Sequence, residues 1–194
     1  MIIILIFLSI LLSGCNTSSD KEYGENFSFT LLNGQEKHSS DYAGKVVLLD
    51  FTGVNCPYCV PQTFVLEEIY NQYGNADLEI ISLYIWMNWP YMETVGDIID
   101  LIEAYRCSLG SDAKNKVSQA DSIKYLKEIS GKQNGIELNW VIGYDDSEGT
   151  LYNKYGQNGV PYLLILDKNG NIYYSSIGYT GYYSLTEKLD ELIS

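Results

Sequence analysis

The chain has 194 residues and a formal net charge of −13, from 12 Lys and Arg against 25 Asp and Glu. Hydrophobic residues make up 46% of it, enough for the packed core of one domain with an appendage. The acidic balance excludes binding to nucleic acid by phosphate neutralisation and excludes a polybasic membrane patch, so no nucleic acid is expected as a partner. Four cysteines are too few for a disulfide scaffold of this length.

Residues 1–15 form an apolar leader that ends in a cysteine. The run Met1–Leu12 is shorter than the roughly 20 apolar residues of a membrane-spanning helix and has the length of a signal-peptide hydrophobic region. The sequence Leu12-Ser13-Gly14-Cys15 resembles the lipobox of prokaryotic lipoproteins, which implies that Cys15 is lipidated and becomes the mature N terminus. An ordinary secretory signal is the alternative. Residues 16–26 are polar and predict a flexible tether to a folded domain at 27–194.

The folded part alternates strand and helix patterns. A strand is predicted at 27–32, followed by Asn33-Gly34 as a two-residue hairpin signal, and a buried strand at 45–51. A helix follows Cys59 and ends near Gly74. Further strands are predicted at 78–85, 140–144, 162–167 and 171–175, and a closing helix carries Leu185, Leu189 and Ile193 on one face. Residues 86–135 have helical periodicity and predict a helical insert. This order indicates an α/β fold with a helix-covered sheet.

Cys56-Pro57-Tyr58-Cys59 follows the buried strand and opens the predicted helix. A thiolate at a helix N terminus is stabilised by unpaired N–H groups, which lowers its pKa, and Pro57 suits the first helical position. We therefore expect Cys56 to be the more exposed nucleophile and Cys59 to be the resolving thiol. A zinc site needs four ligands and the only histidine is His38, so no metal is expected. A permanently bridged structural disulfide is the other alternative.

Several segments together resemble one family. Phe29–Glu36 and Ser40–Leu49 are similar to the opening hairpin, and Gly159–Tyr162 to the cis-proline segment, of TlpA/ResA-like, membrane-anchored proteins with the thioredoxin fold. Leu166–Ile172 and Ile177–Tyr179 resemble that family's last hairpin and the glycine after it. The resemblance implies a thioredoxin-like α/β fold, with a central mixed β-sheet flanked by helices and an N-terminal β-hairpin extension. It also implies a redox-active Cys56–Cys59 disulfide faced by a cis Pro161 in the substrate groove.

Asp50 lies six residues before Cys56, the spacing of the buried acid of thioredoxin. This resemblance implies that Asp50 accepts a proton near Cys59, with a pKa raised by burial. A solvated aspartate at the strand end is the alternative. Gln62 stands where the TlpA/ResA-like pattern often has a glutamate, which makes Asp50 the better candidate. Asn55 stands where a tryptophan commonly precedes the first cysteine, and the Pro-Tyr dipeptide between the cysteines resembles glutaredoxins.

Cys107 lies in the helical insert. If the helix of Val95, Ile98 and Ile102 continues to Cys107, its thiol falls roughly opposite that apolar stripe. An unreactive thiol and a third redox cysteine both stay open.

The sequence predicts a thiol–disulfide oxidoreductase that is lipid-anchored on the extracytoplasmic face of the cell membrane, with reduction favoured over oxidation. It needs no metal or organic cofactor. Its expected partners are exported protein thiols or disulfides, apocytochrome c being one family possibility, and a membrane thiol–disulfide electron donor or acceptor.

Three other functions stay open. A copper-delivery lipoprotein would use C-x-x-x-C and a distant histidine, whereas this chain has C-x-x-C and His38. A thiol peroxidase needs a threonine and an arginine near its cysteine, and the only arginine is Arg106 in the insert. A non-catalytic scaffold lipoprotein would keep Cys56 and Cys59 bridged.

Overall fold

The computed structural model describes residues 24–54, 56, 58–74, 77–85, 96, 99, 138–155 and 159–193. The predicted leader, most of the tether and nearly all of the helical insert, with Cys15, Arg106 and Cys107, lie outside these residues. Within the described ranges no helix is both long and apolar enough to cross a membrane.

A seven-stranded mixed sheet forms the centre of the domain, with the strand order β2-β1-β5-β4-β3-β6-β7. β3, β4 and β5 run parallel, and the other pairings are antiparallel. The strands are β1 (Ser28–Leu31), β2 (Glu36–His38), β3 (Val46–Thr52), β4 (Leu78–Tyr84), β5 (Val141–Tyr144), β6 (Tyr162–Leu166) and β7 (Ile172–Ile177). The helices that can be bounded within the described ranges are α1 (Cys59–Tyr73), α2 (Thr150–Lys154) and α3 (Tyr182–Ile193), with a 3-10 turn at Ser39–Tyr42. The predicted fold class, a thioredoxin-like mixed sheet flanked by helices, is confirmed.

β3 is buried along all seven residues because both faces of the sheet are covered. Successive side chains of a strand point to opposite faces, so Val46 and Leu48 lie on one side and Val47, Leu49 and Phe51 on the other. The first face packs against apolar side chains of α1 and α3, namely Val60, Val65, Leu66, Ile69, Leu185 and Leu189. The second face packs against the N-terminal segment and α2 through Phe27, Phe29, Tyr42, Leu151 and Tyr152.

The predicted N-terminal hairpin is confirmed, but its turn is longer than the two residues predicted. Thr30 pairs with Glu36, and the Leu31 N–H donates to the Gln35 carbonyl oxygen, which leaves three residues, 32–34, in the loop. Gly34 has a φ of +84°, the left-handed conformation that the third position of such a loop requires. The Asn-Gly pair therefore predicts the hairpin correctly, but the predicted loop length of two residues is wrong.

The described chain begins against the turn between β6 and β7. Gly24 N–H donates to the Asn169 carbonyl oxygen and Glu25 N–H to that of Gly170, each at 2.8 Å. The Glu25 carboxylate also lies 2.9 Å from Lys154 Nζ at the end of α2. Residues 24–26 of the predicted tether are therefore bonded to the domain, and the boundary predicted at residue 26 is too late.

Gly143 tests how tightly the N-terminal hairpin packs on the sheet. A Cβ at this position would lie 2.6 Å from Phe29 Cδ2 and 2.7 Å from the Thr30 carbonyl oxygen. Gly143→Ala should therefore lower the free energy of unfolding by about 1–3 kcal/mol, measured by urea denaturation. Gly181→Ala is the matched control, because a Cβ there meets nothing within 4 Å. Equal unfolding midpoints for the two variants would contradict the packing described here.

Candidate active site

Cys56 and Cys59 form a disulfide just beyond the carboxyl end of β3. Their sulfur atoms are 2.11 Å apart and their Cα atoms 5.3 Å apart. α1 begins at Cys59, with Tyr58 as its N-cap, so Pro57 precedes the first helical residue instead of occupying it as predicted. The pair is therefore divided between the two elements, with Cys56 on the connection from β3 and Cys59 on α1.

The N terminus of α1 is directed at the sulfur of Cys56. The backbone N–H of Cys59 donates to Cys56 Sγ at 3.1 Å, and α1 has no side-chain cap. In the reduced protein this donor and the helix dipole stabilise a thiolate at Cys56. Cys56 is 7% exposed and Cys59 3% exposed, so both are buried in the oxidised protein, and their roles as nucleophile and resolving thiol stay predictions.

The Val160–Pro161 peptide bond is cis, as the resemblance implied. Antiparallel pairing of Phe51 with Tyr162 brings this peptide beside the end of β3, and the Val160 carbonyl oxygen lies 3.5 Å from Cys56 Sγ. Pro161 therefore stands next to the disulfide, in the position expected of a residue that shapes a substrate groove.

Three exposed side chains belong to the segments that carry the disulfide and adjoin the cis-proline peptide. Ile177 pairs with Tyr162 across β6 and β7 and is 59% exposed, while Tyr58 and Tyr179 are 61% and 51% exposed. Gly178 N–H donates to the Pro161 carbonyl oxygen at 2.8 Å, which fixes this segment to the cis-proline peptide. These three side chains add uncharged, partly aromatic surface to the described part of the site.

Asp50 is 2% exposed and lies on the face of β3 that α1 and α3 cover. Burial raises the pKa of its carboxyl to about 7, and a hydrogen bond from the Ser82 hydroxyl to Oδ2 opposes that rise. The alternative of a solvated aspartate at the strand end is therefore wrong. A carboxyl with a pKa near neutrality is suited to take up and release a proton at neutral pH.

Sequence reasoning missed two residues that contact this acid directly or through a neighbour. Ser82 pairs with Asp50 in the β3–β4 register and donates to its Oδ2 at 3.0 Å. Trp140, predicted only as a strand residue, donates its Nε1–H to the Ser82 hydroxyl oxygen at 3.0 Å. The alternation of side chains along β4 predicts on which face of the sheet Ser82 lies. No local sequence signal shows which strand pairs with β4 and places Asp50 next to Ser82.

Gln62 joins α1 to the segment beyond the cis-proline. Its side chain is fully buried, and Oε1 accepts a hydrogen bond from the Thr180 N–H at 2.8 Å. The glutamine at this position therefore makes a structural contact of its own. It carries no ionisable group that would compete with Asp50 for a proton.

The structure does not bring His38 to the cysteine pair. His38 lies in the edge strand β2, and three strands, β1, β5 and β4, separate it from β3. Over the ranges that the structure describes, no group of three or more His, Cys, Asp or Glu residues is placed to hold a metal ion. A copper site built on His38 and the C-x-x-C pair is therefore not formed by this fold.

The raised pKa of Asp50 makes stability depend on pH. Because the folded protein holds this proton up to about pH 7 and an ordinary aspartate only to 3.8, the stability that the proton confers is lost as pH rises through that window. We expect Asp50→Asn to remove this loss, on the order of 4 kcal/mol, so that the variant gains stability relative to the parent as pH rises from about 4 to about 7. Urea unfolding of the oxidised proteins measures it, and parallel stability curves would contradict it.

Three solved structures illustrate the similarity of the fold. DsbF from Mycobacterium tuberculosis, in mixed oxidised and reduced forms, has a TM-score of 0.58 and 16% identity, covering 86% of this chain and 94% of that one. The exposed lipoprotein thioredoxin Etrx1 from Streptococcus pneumoniae has a TM-score of 0.54 and 20% identity, covering 87% and 100%. StoA from Bacillus subtilis has a TM-score of 0.52 and 16% identity, covering 85% and 96%. At these identities the likeness shows the fold alone.

The sequence itself identifies the family. No curated protein matches the chain significantly. The Redoxin family profile, however, matches residues 20–183, which include both cysteines, Asp50 and Pro161. A match over far more than half of the chain, together with the thioredoxin-like sheet and the Cys56–Cys59 disulfide, shows that the chain belongs to the Redoxin family.

Proposed function

We propose that this chain is a thiol–disulfide oxidoreductase that works on the extracytoplasmic face of the cell membrane, held there by a lipid on Cys15. The observation that carries the proposal is the Cys56–Cys59 disulfide at the N terminus of α1, next to the cis peptide at Pro161. Membership of the Redoxin family supports the oxidoreductase activity.

Reduction of a substrate disulfide begins at Cys56. The Cys56 thiolate, stabilised by the Cys59 N–H, attacks one sulfur of the substrate. A bond forms between Cys56 and that sulfur, the substrate disulfide breaks, and the second substrate sulfur leaves as a thiolate that takes a proton from water. The exposed side chains of Tyr58, Ile177 and Tyr179 provide the surface against which the bound polypeptide lies.

Resolution of the mixed disulfide uses Cys59 and Asp50. The carboxylate of Asp50 accepts the Cys59 proton, and the Cys59 thiolate then attacks Cys56 Sγ. The Cys56–Cys59 disulfide forms and the remaining substrate sulfur leaves as a thiolate. Two electrons have passed from the cysteine pair to the substrate, so the disulfide found in this structure is the product state of the reduction.

A partner must restore the reduced pair before the next cycle. We propose a membrane thiol–disulfide electron donor for this step and exported proteins with disulfides as substrates. The reverse flow of electrons would make the chain an oxidase, and the reduction potential of the Cys56–Cys59 pair decides between them. Equilibration with glutathione or dithiothreitol buffers measures that potential, and a value near that of a strong oxidant, roughly −120 mV, would contradict the reductase assignment.

The location rests on the leader. Its apolar run and the Leu12-Ser13-Gly14-Cys15 sequence support export and lipidation. The exposed lipoprotein thioredoxin Etrx1 supports this location, because it is a lipoprotein with the same fold.

Cys59→Ser should trap mixed disulfides between Cys56 and substrate proteins, because the resolving thiol is missing. Cys56→Ser is the matched control and should trap none through this motif. Non-reducing electrophoresis of membranes from cells that express each variant detects the adducts, and mass spectrometry identifies the linked cysteine. Adducts that form through Cys59 in the Cys56→Ser variant would reverse the two roles.

The leader should be cleaved between Gly14 and Cys15, with lipid attached to Cys15. Mass spectrometry of protein extracted from membranes should find a mature N-terminal peptide that begins with a modified Cys15. Cys15→Ser should release the protein from the membrane while leaving its thiol–disulfide exchange in solution intact. A mature form that lacks residue 15 or retains Met1 would show that the anchor is wrong and leave the oxidoreductase assignment standing.

Asp50→Asn should slow the resolution of the mixed disulfide by at least about 10-fold near neutral pH, because Cys59 loses its proton acceptor. Stopped-flow or quenched-flow kinetics of a single turnover measures the rate. The attack of Cys56 on the first disulfide should keep its rate, since that step does not use Asp50. Resolution at the parent rate from about pH 6 to about pH 8 would remove Asp50 from the mechanism.

A further inference from the structure

Three polar side chains form a hydrogen-bonded line through the apolar layer between the sheet and α1. Trp140 Nε1–H donates to Ser82 Oγ, and the Ser82 hydroxyl donates to Asp50 Oδ2, both at 3.0 Å. An indole can only donate, so Ser82 must accept from Trp140, and the single hydroxyl hydrogen of Ser82 is left for Asp50. The line therefore has one direction, from the indole to the carboxyl.

The sheet fixes the geometry of this line. Asp50 and Ser82 are register partners on the parallel strands β3 and β4, and Ser82 is in turn the partner of Ile142 on β5. Trp140 immediately precedes β5, and its ring lies 6.0 Å from that of Tyr70 on α1. Asp50, Ser82 and Trp140 are all buried, so their hydrogen bonds are shielded from competition with water.

The two oxygens of the Asp50 carboxyl are not equivalent. Oδ2 accepts from Ser82, whereas Oδ1 is buried and accepts no hydrogen bond from any residue within the described ranges. Oδ2 is thus held in place by Ser82, and the lone pairs of Oδ1 are available to accept a proton.

The other ionisable groups on this face of the sheet are phenols, or they are exposed charged groups. Cys59 is the first residue of α1, the helix that covers this face. The titratable side chains in the hydrophobic cluster there are Tyr70 and Tyr73 of α1, Tyr84 of β4, Tyr144 of β5, Tyr174 of β7 and Tyr182 of α3. The charged side chains of α1 and α3, which are Glu67, Glu68, Glu187, Lys188, Asp190 and Glu191, are exposed or partly exposed. Asp145, the other buried carboxyl described, accepts backbone N–H groups at the start of α2.

We propose that Ser82 and Trp140 are positioning residues for proton transfer, which hold Asp50 Oδ2 so that Oδ1 receives the proton of Cys59. This inference rests on the proposed function, because it concerns the step that resolves the mixed disulfide. Ser82 stabilises the ionised carboxylate by donating to it, and Trp140 acts through Ser82 by fixing the direction of its hydroxyl hydrogen.

The test is the pH dependence of the resolving step. A mixed disulfide is formed on Cys56 of the reduced full chain with a small disulfide such as oxidised glutathione. Samples are then acid-quenched at timed intervals. Peptide mass spectrometry separates the Cys56 adduct from the Cys56–Cys59 disulfide, so other cysteines of the chain do not disturb the readout. The apparent midpoint of the rate against pH belongs to Asp50 and Cys59 together.

Ser82→Ala should move this midpoint to higher pH by about one to two units, since the carboxylate loses a donor. At pH 7 the rate should fall about fivefold or more, while the plateau at high pH is kept. Trp140→Phe should move the midpoint in the same direction by less. The double variant should behave as Ser82→Ala alone, because Trp140 acts only through that hydroxyl.

Two controls separate positioning from general damage. Ser82→Thr keeps a hydroxyl and should restore most of the parent profile. Ser39→Ala removes another buried serine hydroxyl, which accepts the Phe27 N–H away from the cysteines, and should leave the midpoint unchanged.

An unmoved midpoint in Ser82→Ala, or additive shifts in the double variant, would overturn the proposal. Failure of Cys59→Ser to trap substrates would overturn the proposed function instead, so the two failures are distinguishable.

Discussion

The complete burial of β3 is the constraint on which the rest of the structure depends. Its pairing with β4 on one side and β6 on the other places Ser82 beside Asp50 and Pro161 beside the end of the strand. The chain leaves β3 at Thr52 and reaches Cys56 within four residues. The cysteine pair, the acid and the cis-proline peptide are therefore positioned by one strand and its two neighbours, and the apolar layers on both faces hold that strand in register.

The same burial destabilises the ionised form of Asp50 and brings the pKa of its carboxyl close to neutrality. A carboxylate without a cationic partner is destabilised in an apolar layer, which is why its pKa lies near 7. An exposed aspartate would be ionised at neutral pH but too weak a base to take a thiol proton efficiently. The fold thus loses stability as pH rises toward about 7, and it holds a buried carboxyl that can exchange a proton near neutral pH.

Local sequence patterns predict most of the strands and helices and the candidate cysteine pair. They do not predict contacts between residues that are distant in the sequence. Neighbouring residues alone indicate the apolar run of β3, the C-x-x-C motif and the turn at 168–170. The cis peptide at Pro161 was predicted from the family resemblance. The bond from Trp140 to Ser82 joins residues 58 apart, and that from Thr180 to Gln62 joins residues 118 apart. Such contacts depend on strand order and register, which hydrophobic periodicity does not specify. The sequence analysis predicted Pro57 at the first helical position, whereas α1 begins at Cys59, with Tyr58 as an N-cap that makes no side-chain hydrogen bond.

The attachment of Gly24 to the β6–β7 turn bears on how far the reactive disulfide stands from the membrane. That turn follows Leu166, while the cis-proline peptide precedes Tyr162, so the entry point and the disulfide lie at opposite ends of β6, about 16 Å apart along the strand. Eight residues, 16–23, lie between Cys15 and Gly24, and the nine steps from one Cα to the next span at most about 32 Å. With the proposed lipid on Cys15, the tether would join the domain at the end of β6 opposite the disulfide, which would leave the reactive end free to face exported proteins. An electron donor embedded in the bilayer would then need a domain that extends from the membrane to reach the disulfide. Otherwise the tethered domain would have to rotate so that the disulfide faces the membrane.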